Sequence, residues 1–320
     1  MIYTLSSPVP SFETIDSLLS RYEQWLVNEP FSKHTKRNYL SRLKYFFHFL
    51  ESQNVDCQTF LYDRKRRDAL VISYRSHLLD VNKMQVSSVN KSLAAVDYLC
   101  RFLGLGPTSI KRERLPAQVL KILTIEESDA LLRILECYGS AKDKAVIMLF
   151  LRMGLRLGEC AELNVQDVHF SSSDANLYVR NNRTNQVRAL PLEEATKQVL
   201  SEWLMDRHHK FPKTLEQALF LNPLGTRMST AGLDLIVRKM GRRCGLTLSA
   251  QLLRDTFLTN IAGKVNDPFV VAYVGGCKRL DNVSKYFNVS INNVGPEPEK
   301  MKQEPDIYGT CITSEEQSFL

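Results

Sequence analysis

One short basic segment divides this chain of 320 residues into two parts. Residues 104–118 read GLGPTSIKRERLPAQ, with two glycines, two prolines and three Lys or Arg side chains. Glycine and proline interrupt helices and strands, so regular structure is not expected to continue through this segment. Each flanking part is long enough to form a domain. The sequence therefore predicts two domains joined by a linker at about 106–117.

Amphipathic helical patterns fill the part before the linker. Apolar side chains recur at helical spacing in about 14–27, 32–51, 68–79 and 87–103, and each pattern carries a basic flank. This predicts a bundle of about four helices over residues 12–105. Residues 1–11 are polar, contain two prolines, and are predicted to be flexible.

The part after the linker combines helices with a hairpin. Residues 176–191 (NLYVRNNRTNQVRALP) alternate around a polar turn, which predicts two antiparallel strands. Further helices are predicted from Thr124 onward and at about 143–152, 159–163, 194–207, 230–244, 251–263, 268–274 and 281–287. Residues 118–290 thus predict a mostly helical domain with a small sheet. Apolar periodicity stops after Ser290, so 291–320 are predicted to be an acidic tail.

The charge distribution points towards nucleic acid. The net charge is +7 and the pI about 9.0, but residues 31–114 alone hold sixteen Lys and Arg against seven Asp and Glu, a net +9. Such a concentration is expected of a protein that binds the phosphate backbone, although a solvated charged surface has the same composition. The predicted DNA-binding residues are Lys33, Lys36, Arg37, Arg42, Lys44, Lys91, Lys111, Arg112 and Arg114.

Several other classes of protein are disfavoured. No apolar run is long enough for a membrane span, and the first residues lack a secretory pattern, so a cytoplasmic location and no membrane partner are expected. The seven cysteines are scattered without a CxxC motif, which argues against disulfides and zinc. No GxxxxGK[ST] motif is present. We therefore expect no metal and no cofactor.

Three separated segments resemble the tyrosine recombinase (phage integrase) family. LFLRMGLRLGECAELNVQDV (149–168) is similar to the pattern TGLRxxELxxLxxxDI, with Arg156 and Glu159 at the functional positions. QLLRDTFLT (251–259) is similar to HxLRHTFAT, with Arg254 at the arginine. YVGGCKRLDNVSKYF (273–287) is similar to LLGHxxxxTTxxYxH, with Tyr286 at the tyrosine. Because independent levels of pattern agree over about residues 12–290, the match is specific.

The resemblance implies a reaction and a catalytic set. Tyr286 would attack a DNA phosphorus, leave a 3′-phosphotyrosine bond and free a 5′-hydroxyl that can later reverse the attack. Arg156 and Arg254 would hold the charged phosphate oxygens, and Glu159 would orient Arg156. A tyrosine hydroxyl has a pKa of about 10, so Tyr286 needs positive charge or a base nearby.

Three positions depart from the family pattern. Arg183 stands where the family has a lysine that serves as general acid, and arginine is a poor proton donor. Gln251 replaces a histidine; it can donate a hydrogen bond to phosphate but cannot shuttle a proton. Cys277 replaces a histidine or tryptophan and offers only a weak donor. Each lost acid–base contribution is worth about 10²–10⁴-fold in rate.

The implied fold is mainly α with a small β-sheet. An N-terminal four-helix (SAM-like) core-binding domain and a mixed α+β catalytic domain would form a C-shaped clamp on double-stranded DNA. The implied assembly is a homotetramer on two recombination sites, with accessory proteins as further partners. Two alternatives stay open: a DNA-binding accessory or regulatory protein of the same fold with impaired catalysis, and an enzyme that relaxes DNA without a specific site.

Overall fold

The structure is a computed structural model that describes residues 15–55, 60, 63–114, 120–171, 174–181 and 186–290. The chain divides into two compact units, Met1–Gln118 and Val119–Leu320. The flexible start predicted at 1–11, the tail predicted at 291–320 and the end of the predicted linker at 115–117 lie outside the described residues.

The described part of the first unit consists of helices around an aromatic core. Its helices are α1 (Ile15–Asn28), α2 (Lys33–Ser52), α3 (Arg64–Ser76) and α4 (Val86–Phe102). Tyr22, Phe46 and Tyr74 are fully buried, and the rings of Phe46 and Tyr74 lie 4.9 Å apart in edge contact. Aromatic side chains bury large apolar areas, so a few of them stabilise a bundle of this size.

Helix α3 begins earlier than its apolar pattern predicts. The side chain of Asp63 accepts hydrogen bonds from the backbone N–H groups of Lys65 and Arg66, which satisfies donors that the first helical turn leaves open. The helix continues directly into a π-helical turn at His77–Val81. Apolar periodicity indicates which face of a helix is buried, whereas the capping residue determines where the helix begins.

The first part of the predicted linker packs against the first unit. The hydroxyl of Thr108 donates to Asp97 at 2.6 Å, and that of Ser109 donates to Asp68 at 2.6 Å. Arg112 forms an ion pair with Asp97 and donates to the carbonyl of Asn90 at 2.6 Å. Residues 106–114 therefore extend the first unit, because their polar groups are bonded to α3 and α4.

The second unit surrounds a three-stranded antiparallel sheet with helices. Its elements are α5 (Ile125–Tyr138), α6 (Ala141–Leu151), α7 (Leu157–Glu162), β1 (Val168–Phe170), β2 (Ala175–Arg180), β3 (Val187–Pro191), α8 (Glu194–Lys210), α9 (Thr230–Cys244), α10 (Ala250–Val265), α11 (Pro268–Gly275) and α12 (Ser284–Ser290). The strand order is β1-β2-β3. The predicted hairpin is confirmed as β2 and β3, whereas β1, with three residues, is too short for alternation to reveal it.

The core of the second unit lies between the sheet and its helices. Leu177 pairs with Val168 on one side and Leu190 on the other, and both leucines are buried. Trp203 and Phe150 are among the largest fully buried side chains. The predicted last helix is a 3-10 turn at Leu280–Asn282 followed by α12.

The predicted fold class, mainly α with a small β-sheet, is confirmed. The C-shaped clamp concerns the arrangement of the two units and stays a prediction. Within the ranges that the structure describes, no helix is both long and apolar enough to cross a membrane.

Candidate active site

A tight turn places Arg156 at the start of α7. Gly154 in this turn has a φ of +62°, and a Cβ on it would lie 2.3 Å from the ring of Phe257, so only glycine fits. The backbone N–H of Arg156 donates to Oε2 of Glu159 at 2.8 Å, and its Nη1 donates to Oε1 at 2.9 Å. Its Nη2 reaches the carbonyl of Gly276 at 2.9 Å. Glu159 thus fixes both the backbone and the guanidinium of Arg156.

A second arginine, Arg188 on β3, holds Glu159 from the other side. Its Nη1 and Nη2 donate to Oε1 and Oε2 at 3.0 and 2.8 Å, a bidentate pair. Its Nε donates to the carbonyl of Val274 at 3.2 Å. Arg188 is 6% exposed and Glu159 is 8% exposed. Two guanidinium groups therefore share one buried carboxylate.

Arg188 is not among the predicted site residues, although the sequence carries a signal for it. Side chains alternate between the faces of a strand, so Arg188 shares the inward face of β3 with Leu190. A buried arginine requires a partner, and its position predicts one in the core. The pattern does not say which carboxylate meets it, because Glu159 lies 29 residues earlier.

The environment of Glu159 lowers its pKa. Burial on its own raises the pKa of this carboxyl, but the hydrogen bond and charge of Arg188 lower it, and the backbone N–H and charge of Arg156 add to that effect. The net pKa lies below its ordinary value of 4.5. Glu159 therefore stays ionised and keeps both arginines in place.

Removing one partner of the buried Arg188–Glu159 pair should destabilise the second unit strongly. Arg188→Met leaves a buried carboxylate with half of its partners, and we expect the free energy of unfolding to fall by about 3–5 kcal/mol. Because the pKa of folded Glu159 is lowered, this stabilisation is fully present above pH 4.5 and is lost as the pH falls through the lowered pKa. Urea unfolding of both proteins at several pH values measures the difference.

Arg152→Met is the matched control for Arg188→Met. Arg152 pairs with Glu193 at 3.6 Å, and both side chains are more than 40% exposed. Its removal should cost at most about 1 kcal/mol. Equal losses in the two variants, or an Arg188→Met deficit that does not shrink in acid, would contradict this assignment.

Arg254 enters the site from α10 and is only 3% exposed. Its guanidinium donates to the backbone carbonyls of Gly154 and Gly275. Burial lowers the pKa of Arg254, and the nearby charge of Arg156 lowers it further. Arg254 is thus held by neutral carbonyls beside another cation, which favours an anion at this place.

Cys277 marks the point where the two arginines converge. Nη2 of Arg156 lies 3.8 Å from its sulfur, and Nη2 of Arg254 lies 3.9 Å from the same atom. These arginines come from segments about 100 residues apart, and the fold brings both of them to the sulfur of Cys277. Arg156 and Arg188 both donate to Glu159, whose charge also acts on Arg254, so three guanidinium groups share one carboxylate here.

Tyr286 is placed by α12 with its ring in the core and its hydroxyl on a carboxylate. The residue is 2% exposed, and its Oη donates to Oδ1 of Asp255 at 2.9 Å. Burial raises the pKa of Tyr286, and the charge and hydrogen bond of Asp255 raise it further, whereas Arg254 lowers it. The sequence predicted a positive field at Tyr286; the structure shows that burial and Asp255 outweigh it.

Asp255, which is not among the predicted site residues, accepts three hydrogen bonds on one oxygen. Besides Tyr286, Nε2 of Gln251 donates to Oδ1 at 2.9 Å and Nζ of Lys285 at 3.3 Å. The sequence indicates that Gln251 can donate to a phosphate oxygen, and in this structure its Nε2 donates to Asp255. The sequence signal for Asp255 is its place in QLLRDTFLT: it stands where the pattern HxLRHTFAT has a histidine next to the arginine.

A family profile decides the class of protein. The profile described as the phage integrase family matches residues 121–293, more than half of the chain and all of the site above. This chain belongs to the phage integrase family. The resemblance carried by the three sequence segments is confirmed.

Relatives of this phage integrase family member share most of its length. Tyrosine recombinase XerA of Pyrococcus horikoshii is 26% identical over 297 residues, covering 91% of this chain and 96% of that protein. Tyrosine recombinase XerC of Chlamydia caviae is 26% identical over 284 residues, covering 81% and 90%. The similarity thus extends through both units.

Solved structures share the fold. The XerH site-specific recombinase, bound to palindromic difH substrate in a post-cleavage complex, has a TM-score of 0.67 at 15% identity and covers 89% of this chain and 96% of that one. A lambda integrase dimer bound to a COC′ core site has a TM-score of 0.62 at 16% identity and covers 91% and 100%. At these identities the likeness concerns the fold alone.

Some predicted positions of this phage integrase family chain are not placed at the site. Arg183 lies outside the described residues. Among the basic residues of the first unit, Arg42 donates to the carbonyl of Ser88 and the hydroxyl of Ser92, so it joins α2 to α4. Lys36 donates to the carbonyl of Val27 at 2.7 Å. The exposed ones are Lys33, Arg37, Lys44, Lys91, Lys111, Arg112 and Arg114, and DNA binding by the set stays a prediction.

Proposed function

We propose that this chain is a site-specific DNA recombinase that cleaves and rejoins double-stranded DNA through a 3′-phosphotyrosine intermediate. The convergence of Arg156 and Arg254 on one point, beside a buried tyrosine, carries the proposal. Membership of the phage integrase family supports recombination as the activity. The two arginines and Tyr286 are then the phosphate clamp and the nucleophile.

The chemistry uses only side chains. Oη of Tyr286 loses its proton and attacks the scissile phosphorus, the bond from phosphorus to O5′ breaks, and O5′ takes up a proton from solvent to become a 5′-hydroxyl. The guanidinium groups neutralise the charge that grows on the non-bridging oxygens, and their fixed positions remove the cost of reorganising water. A 5′-hydroxyl from a second strand reverses the sequence, so the exchange conserves bond energy.

Arg183 stands at the position of the general acid in the family pattern. Arginine holds its proton tightly, so its part here would be to bind a phosphate oxygen while proton delivery to O5′ is slow. Single cleavage events should therefore be slow, even where DNA binding is tight. We further propose a homotetramer on two DNA sites, since neighbours of this fold include DNA-bound dimers and tetramers.

A second function is favoured by the state of Tyr286. Its hydroxyl is buried and bonded to a carboxylate, and its pKa is raised above its ordinary value of 10.0. Together with Gln251 and Cys277 at positions where the family has proton-handling groups, this suits a DNA-binding accessory protein with impaired cleavage. The two candidates differ in whether a covalent bond to DNA ever forms.

Covalent capture tests the proposed function. The purified protein is incubated with a library of nicked duplexes that carry a randomised central segment, and adducts are recovered under denaturing conditions. We expect a protein–DNA adduct with one enriched sequence, because the short strand beyond the nick diffuses away and prevents rejoining. Digestion and mass spectrometry should place the DNA on Tyr286.

Two other outcomes of the capture experiment would indicate a different function. Enrichment of a sequence by native binding, with no adduct after denaturation, would contradict the recombinase and support the accessory protein. Adducts without sequence enrichment, together with relaxation of any supercoiled plasmid, would indicate a DNA-relaxing enzyme.

A further inference from the structure

We propose that Asp255 is a further catalytic residue, whose carboxylate takes the proton from the Tyr286 hydroxyl as that oxygen attacks the scissile phosphorus. The inference rests on the proposed function and deepens it. It supplies a proton acceptor, which the sequence departures at Gln251 and Cys277 leave unassigned.

The geometry of the contact meets the first requirement of a general base. Oδ1 of Asp255 accepts the hydrogen bond from Oη of Tyr286 at 2.9 Å, inside the range of about 2.6–3.2 Å that proton transfer needs. Asp255 is 6% exposed and follows Arg254 directly on α10. The same helix therefore positions a phosphate-binding group and the acceptor.

The raised pKa of Tyr286 makes an acceptor necessary. With an ordinary tyrosine, only about one hydroxyl in a thousand is ionised at neutral pH, and here the fraction is smaller. If only preformed tyrosinate attacked, nearly all protein–DNA complexes would be unreactive, because their Tyr286 hydroxyl is protonated. Proton transfer during the attack avoids this loss, because the acidity of Oη rises as its bond to phosphorus forms.

Lys285 and Gln251 make the carboxylate compatible with a nearby phosphate. Both donate to the oxygen that accepts from Tyr286, and Lys285 places a cation 3.3 Å from it. An isolated carboxylate would repel the DNA phosphate, whereas this one is partly neutralised. Nζ of Lys285 also lies 4.6 Å from the centre of the Tyr286 ring, so this cation lies close to the nucleophile as well as to Asp255.

The proton balance closes over a full cycle. During cleavage the O–P bond to Tyr286 forms, the bond from phosphorus to O5′ breaks, the tyrosine proton moves to Asp255, and O5′ takes a proton from solvent water. During rejoining a 5′-hydroxyl attacks the phosphotyrosine and releases its proton to solvent, and Asp255 returns the tyrosine proton to Oη as the tyrosine leaves. The carboxylate thus serves as base in one direction and as acid in the other.

The contact between Asp255 and Tyr286 could instead only hold the tyrosine away from DNA, and the two roles predict opposite effects of Asp255→Asn on the cleavage rate. If the contact only holds Tyr286, Asp255→Asn would leave cleavage unchanged or accelerate it, since the variant weakens the hold on Oη. A general base predicts slower cleavage, because asparagine keeps the size of the side chain but accepts no proton. The direction of the effect therefore separates the two roles.

The test measures single-turnover cleavage of a nicked duplex taken from the covalent capture. We expect Asp255→Asn to lower the rate by about 10²–10⁴-fold at neutral pH, with unchanged affinity for the duplex. Asp255→His, which restores a proton acceptor, should recover much of the loss. Asp281→Asn is the control, since Asp281 is 77% exposed, pairs with Arg279 near the start of α12, and should leave the rate unchanged.

Two further readouts respond to proton transfer and not to folding. Without a carboxylate acceptor the proton must go to hydroxide, so the Asp255→Asn rate should rise about tenfold per pH unit, more steeply than the wild-type rate. The titratable and charged groups that face Tyr286 in this comparison are Asp255, Arg254, Cys277 and Lys285. A sulfur at the 5′ bridging position, which leaves without a proton, should not rescue Asp255→Asn, because the defect lies on the attacking side.

The outcomes separate this inference from the proposed function. If the wild-type protein forms no adduct with the nicked library, the recombinase proposal fails and Asp255 has no reaction to serve. If the wild-type protein reacts and Asp255→Asn reacts as fast or faster, only the role of Asp255 is overturned. Equal losses in Asp255→Asn and Asp255→His, with a wild-type pH profile in both, would assign the contact to structure and overturn it too.

Discussion

Replacing Tyr286 with phenylalanine is expected to reduce covalent capture of DNA below detection while DNA binding stays intact. The change removes only Oη, the atom that would form the bond to phosphorus, and the ring keeps its place in the core. The lost hydrogen bond to the Asp255 carboxylate should lower the free energy of unfolding by about 1.5–3 kcal/mol, which leaves the fold intact. Gel shift and denaturing electrophoresis on the same nicked duplex measure binding and capture separately.

Tyr273→Phe is the matched control for this variant. Tyr273 lies on α11, is 43% exposed, and donates to the carbonyl of Ala189 at 3.3 Å. The same atom is removed from the same type of side chain, but Oη of Tyr273 bonds to a backbone carbonyl on β3, so capture should proceed at the wild-type rate. An adduct that persists in Tyr286→Phe would place the nucleophile elsewhere and refute the assignment of Tyr286.

Replacing Arg254 with lysine is expected to slow cleavage by about 10²–10³-fold, although the charge is kept. The guanidinium of Arg254 spans two fixed backbone carbonyls, those of Gly154 and Gly275, and presents its remaining surface beside Arg156. A lysine ammonium is a single point that cannot reproduce this planar arrangement. Single-turnover cleavage of the nicked duplex gives the rate, and thermal unfolding gives the cost in stability.

Arg207→Lys separates catalysis from folding in this experiment. Arg207 is also a buried arginine that holds two carbonyls, those of Ala218 and Glu216, but it lies on α8 away from the site. It should lose stability like Arg254→Lys and keep the wild-type cleavage rate. Rates that fall in both variants in proportion to their stability would mean that Arg254 supports the fold alone.

Local pattern was enough to predict most of the helices, the hairpin and the positions of three candidate site residues. Arg156, Arg254 and Tyr286 stand at positions that three short segments define, and the structure gathers the two arginines within 4 Å of Cys277. Arg188 is a residue whose role the local pattern could not predict. Its alternation with Leu190 indicates an inward direction, yet its partner comes from another element.

The sequence by itself determined the two-part organisation, the helical character, the hairpin and the family, because these depend on periodicity, composition and spacing within short windows. Tertiary structure decided which charges meet. The carbonyl that holds Arg156 is 120 residues away, and the carboxylate that holds Tyr286 is 31 residues away. It also decided the direction of the Tyr286 pKa, since burial and a neighbouring carboxylate exist only once the helices have packed. Asp255 gains its proposed role for the same reason: an ordinary aspartate in α10 becomes a proton acceptor only where α12 presents the tyrosine to it.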